Sequence, residues 1–435
     1  MNITHLTAKD QDNMLLNDIL QRNYFDTFDY NYIHPFGNPH RTSRRLKDLT
    51  FIFPGGKSSC GLCDYEIPLT GTKENCIDNL KKFLSWYKEK NFACDIHLMG
   101  MDTITLEELT DIFSYIEENF IIRFPINITI DLDSENLNHN IISLIKEKRK
   151  LFELKYHLTF ILNITIHNFN LSKEDYLLLK DLKVNYKVLL HPDKVENYTE
   201  MFKTFISNLN LDINTVFEDF NISLMDSENW SEDKMLYLHL FLDFYIDVAY
   251  EHYCNSDIDR FLQYIFENEN FISIKDQQVL DNTWGHDYCA FYNSLCINLD
   301  TLEIAMCPGL FKIDLAIGKF ICENDKITGK VEAMNLELIV ITDHLKKSSN
   351  PKCEHCYETD LCHGYCHAAA YEVSYNPLIP IMEGCEMRRG KLLFLVYKYK
   401  QMGIFDSLEF FEYRDKLTKN FDWYLNSIVQ RYVKE

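Results

Sequence analysis

The chain has 435 residues and a net charge of −22 at pH 7, and hydrophobic residues make up 46% of it. A chain of this length and apolar content can bury a large core, in two domains or in one domain with an appendage. The acidic balance argues against sequence-independent nucleic-acid binding, which needs a basic surface. No uncharged apolar run reaches the ~18 residues needed to cross a bilayer, so the sequence predicts no membrane span.

Predicted strands and helices alternate through the first half of the chain. Helical spacing of apolar residues predicts a helix over 72–90, and Thr105 with Glu108 has the capping-box pattern of a second helix start. The segment from Met235 to Tyr253 is interpreted as a core helix. Apolar runs predict six buried strands, at residues 49–53, 94–99, 126–132, 158–166, 184–191 and 220–224. This alternation favours parallel strands in either a partial α/β barrel or a doubly wound sheet.

Eight cysteines in the second half are the strongest functional signal. They are Cys289, Cys296, Cys307, Cys353, Cys356, Cys362, Cys366 and Cys385. Iron–sulfur clusters need thiolates from several directions, and eight ligands suit two four-iron clusters. The alternatives are buried structural thiols, or a zinc site to which three nearby histidines would contribute: His355, His363 and His367. With 14 cysteines and no export signal, we expect a reducing cytoplasmic location rather than a disulfide framework.

This spacing is similar to that of the SPASM domain, the C-terminal module of many radical S-adenosylmethionine (SAM) enzymes. That family has a Cys…Gly-x4-Cys segment, then Cys-x2-Cys-x5-Cys-x3-Cys, then a last cysteine; here Leu302 stands where the glycine is usual. The resemblance implies two auxiliary 4Fe–4S clusters. One would be bound by Cys289, Cys296, Cys307 and Cys366. The other would be bound by Cys353, Cys356, Cys362 and Cys385.

The resemblance also chooses between the two architectures, because the usual partner of a SPASM domain is a six-unit radical SAM barrel. We therefore expect an α/β protein with a partial (β/α)6 TIM-like barrel, a small cysteine-rich SPASM domain and C-terminal helices. The expected divisions are an N-terminal extension (1–45), the radical SAM-like partial barrel (46–235), a helical bridge (236–283), the SPASM domain (284–390) and the C-terminal helices (391–435).

The loop after the first predicted strand departs from the radical SAM pattern. The family places Cys-x3-Cys-x-aromatic-Cys there, to hold a four-iron cluster that binds SAM. Cys60 and Cys63 match the last two cysteines, but Gly56 stands at the first position. We therefore predict a degenerate core cluster, which a cysteine introduced at 56 would restore with about four more irons. The alternative is that the pair is a relic or a structural dithiol.

The end of the second predicted strand also departs from the family. The usual Gly-Gly-Glu, which holds the amino group of SAM, is replaced here by the segment that runs from Met99 to Asp102. Gly100 and Asp102 are thus the remaining candidates to bind SAM. Asp102 also suits the polar start of the helix at Thr105, where a carboxylate complements the helix dipole.

These observations lead to one hypothesis and two alternatives. The hypothesis is a radical SAM/SPASM-like iron–sulfur protein in the maturation of a ribosomally made peptide, with SAM cleavage impaired by Gly56. One alternative is an active peptide maturase with an unconventional third core ligand. The other is a non-catalytic peptide- or partner-binding protein with structural clusters or zinc, so the sequence leaves catalysis open. The implied partners are a precursor peptide or a partner maturation enzyme, and an electron donor. A third 4Fe–4S cluster and SAM would complete the cofactors.

Overall fold

The computed structural model describes residues 48–59, 64–90, 92, 94–121, 125–224, 230–254, 258–267, 294–335, 367–375 and 382–407, together with 9, 12–14, 16 and 17. Seven of the predicted site residues lie outside the described residues: Cys60, Cys63, Cys289, Cys353, Cys356, Cys362 and Cys366.

Most of the described strands form one ten-stranded sheet. In chain order the strands are β1 (Asp48–Ile52), β2 (Lys57–Ser59), β3 (Asp64–Glu66), β4 (Asp95–Met99), β5 (Ile126–Asp133), β6 (Leu158–His167), β7 (Val184–Leu190), β8 (Phe220–Leu224), β9 (Ser294–Asn298), β10 (Glu303–Ala305), β11 (Gly318–Glu323) and β12 (Lys326–Ala333). The order across the sheet is β12-β11-β10-β9-β1-β4-β5-β6-β7-β8, and β2 pairs with β3 as a separate ribbon.

The six predicted strands are confirmed, with ends shifted by at most one residue. They are β1 and β4 to β8, which pair in parallel and follow one another in chain order without reversal. A doubly wound sheet reverses its strand order at a switch point, whereas a barrel does not. The partial α/β barrel is therefore the observed architecture, and the predicted fold class is confirmed.

Alternation along the strands explains which face is buried. In β5 the apolar Ile126, Ile128 and Ile130 are buried while Asn127 and Thr129 between them are only half-buried. Because side chains alternate across a strand, the isoleucines share one face and the polar residues share the other. We call the polar-lined face the inner face of the barrel.

Helices connect the strands and cover their apolar face. They are α1 (Lys73–Lys90), α2 (Leu106–Asn119), α3 (His139–Leu151), α4 (Lys173–Leu179), α5 (Tyr198–Leu209), α6 (Ile213–Asp219), α7 (Glu232–Cys254), α8 (Ile258–Glu267), α9 (Pro308–Lys312), α10 (His367–Ser374) and α11 (Met382–Gln401). The ring of Phe113 in α2, for example, lies 5.2 Å from that of Phe160 in β6. Among the residues that the structure describes, no helix is both long enough and apolar enough to cross a membrane.

The predicted capping box at the start of α2 is confirmed. The backbone N–H of Glu108 donates to Thr105 Oγ1 (3.2 Å), and the backbone N–H of Thr105 donates to Glu108 Oε2 (2.7 Å). Two otherwise unsatisfied donors are paired in this way, which fixes where the helix begins. The core helix predicted between Met235 and Tyr253 is the central part of α7.

The cysteine-rich half adds four strands to the open edge of the barrel. β9 pairs in parallel with β1, with Cys296 opposite Thr50, and β9 to β12 pair with one another as antiparallel neighbours. Asp300, in the turn between β9 and β10, binds the residues that precede α1. Its Oδ2 accepts from the Thr70 backbone N–H and hydroxyl and from the Gly71 N–H, at 2.7, 2.6 and 2.9 Å. Burial alone would raise the pKa of Asp300, but these hydrogen bonds outweigh it and lower that pKa.

Two asparagines of the N-terminal extension cover the outer strand, β12. Asn17 Nδ2 donates to the Val331 carbonyl (2.7 Å) while Asn17 Oδ1 accepts from the Val331 N–H (2.9 Å). Asn13 Oδ1 accepts from the Ala333 N–H at 2.7 Å. Side-chain amides thus take the place of a neighbouring strand, which protects an edge that would otherwise be open to pairing with another chain.

Candidate functional site

The loop after β1 packs directly on the turn after β4, at the end of the barrel where α/β barrels carry their active sites. A Cβ atom placed on Gly56 would lie 2.6 Å from both Gly100 Cα and Asp102 Oδ1, and closer still to the Gly100 carbonyl oxygen. Real Cβ atoms do not approach other heavy atoms so closely. A side chain at 56 therefore fits only if the turn after β4 moves, which argues against the expectation that a cysteine there would restore a cluster ligand.

Gly100 is equally constrained from the other side. Its φ of 75° lies in the left-handed region, and a Cβ at this position would run into the Phe53 carbonyl. The Phe53 N–H donates to the Met99 carbonyl (2.9 Å), which holds the two loops together. Glycine at 56 and glycine at 100 are therefore two halves of one backbone contact.

The second predicted SAM-binding residue, Asp102, lines a cleft beside this contact. The cleft has a volume of about 640 Å³ and is formed by the short helical turns after β4 and β5 and by the start of α3. Its lining residues are Asp102, Thr103, Glu135, Asn136, Leu137, Asn138 and His139. The cleft therefore carries two carboxylates, those of Asp102 and Glu135, and a carboxylate is the kind of group that pairs with an ammonium ion.

Three of the eight predicted auxiliary-cluster cysteines are described. Cys296 is central in β9, opposite Ala305, and Cys307 is the N-cap of α9; the two residues are 0% and 4% exposed. Cys385 lies in α11, half-buried. Within the described ranges, no three His, Cys, Asp or Glu side chains form a group able to hold a metal ion. Since the other five cysteines lie outside these ranges, both ligand sets stay predictions.

The inner face carries a polar chain that the sequence reasoning missed. Asp131 Oδ1 lies 2.7 Å from His97 Nε2 and accepts a hydrogen bond from Asn163 Nδ2 (2.9 Å). Asn163 Oδ1 in turn accepts a hydrogen bond from Asn185 Nδ2 (2.9 Å). Burial alone would lower the pKa of His97, but the Asp131 charge and hydrogen bond outweigh it and raise that pKa. The signal available in the sequence was the polar member of each alternating pair in β5 and β6.

A second missed group lies at the C-terminal ends of three adjacent strands. His167 Nε2 is 3.0 Å from Asp133 Oδ2, and His167 Nδ1 is 2.8 Å from His191 Nε2. Asp133 ends β5, His167 ends β6, and His191 follows β7 directly. A polar residue at the same end of three consecutive parallel strands was visible in the sequence, and such positions in barrels are where functional residues cluster.

Comparison with solved structures shows which fold this is. The chain is similar to the structure described as hexahistidine-tagged anSMEcpe with bound AdoMet, with a TM-score of 0.52 over 87% of this chain and 98% of that chain, at 12% identity. The enzyme anSMEcpe is a radical SAM/SPASM anaerobic sulfatase-maturating enzyme. This chain has a radical SAM/SPASM-like fold. Native anSMEcpe with bound AdoMet and Kp18Cys peptide is also similar, at 14% identity and a TM-score of 0.49 over 82% and 98% of the two chains.

The radical SAM/SPASM-like fold confirms the recognition made from the cysteine spacing. No protein-family model and no curated protein matches this sequence. At this level of identity the likeness concerns the fold, and one fold carries many chemistries. The function of this chain therefore depends on its own residues.

Proposed function

We propose that this chain is a radical SAM/SPASM-like iron–sulfur protein in the maturation of a ribosomally made peptide, with impaired SAM cleavage. The observation that carries the proposal is the contact between Gly56 and Gly100. A SAM-binding four-iron cluster needs three protein thiolates, and Cys60 and Cys63 supply two. The position of the third is filled by backbone, so a core cluster would be held weakly or not at all.

Two observations support a role in peptide maturation. The cysteine array resembles that of SPASM proteins that modify peptides, and the similar structure anSMEcpe is a sulfatase-maturating enzyme. The partners would be a precursor peptide or a partner maturation enzyme, and an electron donor for the auxiliary clusters. A reducing cytoplasm suits a chain with 14 cysteines.

Separate residues of the chain would bind the auxiliary cluster and SAM. Cys296 and Cys307, both buried, would hold one auxiliary cluster away from water together with Cys289 and Cys366. Burial of this kind tunes the reduction potential of an iron–sulfur cluster. Bound SAM, when reduced by an adjacent cluster, supplies a radical. In this chain Asp102 would still offer a carboxylate to its ammonium group.

The proposal is tested by iron content and SAM turnover in anaerobically reconstituted protein. We expect about eight irons per chain, from two clusters, and 5′-deoxyadenosine formation at the background rate after reduction with dithionite. Robust 5′-deoxyadenosine formation that is abolished in Cys60→Ala would overturn the proposal of impaired cleavage and indicate an active enzyme with an unconventional third ligand. Stoichiometric zinc without iron, before and after reconstitution, would instead favour the non-catalytic binding protein.

A further inference from the structure

Lys187 is a cation on the inner face of the barrel. Its neighbours in β7, Tyr186 and Val188, are buried, and the ring of Tyr186 lies 6.0 Å from that of Tyr176 in the covering helix α4. Because side chains alternate across a strand, Lys187 lies on the opposite face, together with Asn185. Asn185 belongs to the polar chain of the inner face, so Lys187 enters the interior next to that chain.

The charge of Lys187 acts across the interior. His97 lies on β4, and β5 and β6 separate that strand from β7 in the sheet. Burial lowers the pKa of His97, the charge and hydrogen bond of Asp131 raise it, and the Lys187 charge lowers it. In a flat sheet the two strands would be about 14 Å apart. The Lys187 side chain therefore extends toward the His97 side of the interior.

Lys187 has no ion-pair partner within the part of the chain that the structure describes. Lysines of the covering helices do have partners: Lys81 pairs with Asp111 (2.6 Å), and Lys148 pairs with Glu117 (2.7 Å). A half-buried ammonium without a partner loses hydration and gains no compensating contact. A ligand with a negative charge would supply the partner.

Asp131 presents a hydrogen-bond acceptor to the same interior. Its Oδ1 lies 2.7 Å from His97 Nε2 and accepts from Asn163 Nδ2. Its Oδ2 has no hydrogen-bond partner among the described residues, although the side chain is only 12% exposed. Two strand spacings, about 10 Å, separate the backbones of Asp131 and Lys187. The interior thus offers an acceptor and a cation at a separation that one residue of a ligand can span.

The charges of the strands favour a carboxylate over a phosphate. As the structure describes strands β1 and β4 to β8, Lys187 is their single lysine or arginine. Phosphate sites usually combine several donors, such as a guanidinium fork or a helix N-terminus. Asp131 would also repel a dianion more strongly than a monoanion. A single ammonium beside a carboxylate therefore suits a ligand that carries one carboxylate and a nearby N–H donor.

We propose that Lys187 binds a carboxylate of the ligand held inside the barrel, and that this ligand is a peptide with an acidic side chain. The carboxylate pairs with the Lys187 ammonium while a backbone N–H of the peptide donates to Asp131 Oδ2. The choice of a peptide rests on the proposed function. The binding itself involves neither SAM nor an iron–sulfur cluster, so either proposal can fail while the other holds.

The first experiment needs no variant: lysines of the wild-type protein are reductively methylated, and the sites are found by peptide mapping. The probe is N-acetylglutamate α-amide, and its neutral match is N-acetylglutamine α-amide. The acidic compound should slow methylation of Lys187, and the neutral one should need at least about tenfold more for the same protection, because one charge-assisted hydrogen bond is missing. The exposed Lys180 should react at the same rate with either compound. Equal rates at Lys187 with and without the acidic compound would overturn the proposal.

The second experiment measures binding of the acidic compound to three variants by saturation-transfer NMR. Binding should weaken at least about tenfold in Lys187→Gln, which removes the charge, and stay within about threefold of the wild type in Lys187→Arg, which keeps it. Lys180→Gln makes the same change of charge at the outer surface and should bind as the wild type does. Unchanged binding in Lys187→Gln, or an equal loss in Lys180→Gln, would contradict the assignment.

A purely structural role for Lys187 predicts a different result in urea denaturation. If its charge only balances the aspartates of the inner face, Lys187→Gln should unfold at a lower urea concentration than Lys180→Gln. We expect the midpoint of Lys187→Gln to equal or exceed that of the wild type, because the variant removes a half-buried cation without a partner. A lower midpoint than that of Lys180→Gln would show that the protein itself uses the charge, which overturns the proposal.

Discussion

Gly56 and Gly100 lie against each other through their backbones, with no room for a side chain on either. Gly56 stands where the radical SAM pattern has its first cysteine. Gly100 belongs to the altered segment at the end of the second barrel strand. The two segments that depart from the radical SAM pattern are therefore in direct backbone contact. A side chain at either position would push apart the loops after β1 and β4.

We expect Gly56→Ala to lower the free energy of unfolding by about 1–3 kcal/mol, because its Cβ overpacks against fixed backbone. Gly56→Cys should be destabilised similarly and should gain no iron. The measurements are urea denaturation and iron content. Gly390→Ala is the control: its Cβ would meet the movable Met235 Cε at 2.9 Å, and glycine inside helix α11 costs about 0.5–1 kcal/mol relative to alanine. That variant should be as stable as the wild type or more so.

Leu302 has a φ of 63°, in the hairpin turn where the SPASM pattern has glycine. Its N–H donates to the Asn298 carbonyl (2.9 Å), so the turn forms despite the strain. Leu302→Gly should stay within about 1 kcal/mol of the wild type, since relieved strain offsets lost packing. Leu302→Val should lose roughly 1–2 kcal/mol, because a β-branched residue tolerates positive φ poorly. Thermal unfolding of both variants measures the difference. Equal melting temperatures for Leu302→Gly and Leu302→Val would contradict the prediction.

The auxiliary ligands are tested by comparing cysteines of different kinds. Cys296→Ala and Cys353→Ala should each remove about half of the iron, since each belongs to a different predicted cluster. Cys322→Ala should leave the iron unchanged, because Cys322 is exposed on β11. Cys76→Ala should do the same, because Cys76 lies in helix α1 of the barrel and belongs to neither predicted ligand set. Iron analysis after reconstitution is the measurement, and full iron in Cys296→Ala would contradict its assignment.

His97 should make folding stability depend on pH. Its pKa is raised in the folded state, so its contribution is fully present below the unfolded value of about 6.5 and is lost as the pH rises through the folded pKa. The difference in unfolding free energy between the wild type and His97→Gln should therefore shrink from pH 6 to pH 9. Urea denaturation across that range measures it. Asp131→Asn removes the partner that raises the pKa, and a pH dependence unchanged in this variant would contradict the explanation.

The sequence by itself determined the elements and the family resemblance. Strand and helix positions depend on local periodicity: the isoleucines of β5 alternate with polar residues, and Thr105 with Glu108 fixes a helix start within four residues. The cysteine spacing identified the SPASM-like fold because metal ligands in one loop are constrained by their separation along the chain. Each of these signals is contained in a short stretch of sequence.

Only the tertiary structure decided how distant segments meet. Periodicity left a barrel and a doubly wound sheet open, and the unreversed order of the six strands β1 and β4 to β8 distinguished between them. The contact of Gly56 with Gly100, and the contacts of His167 with Asp133 and His191, join residues at or after the ends of different strands. They therefore depend on strand register and on the path of each loop. Register is set by the packing of the whole sheet, and no local pattern in the sequence contains it.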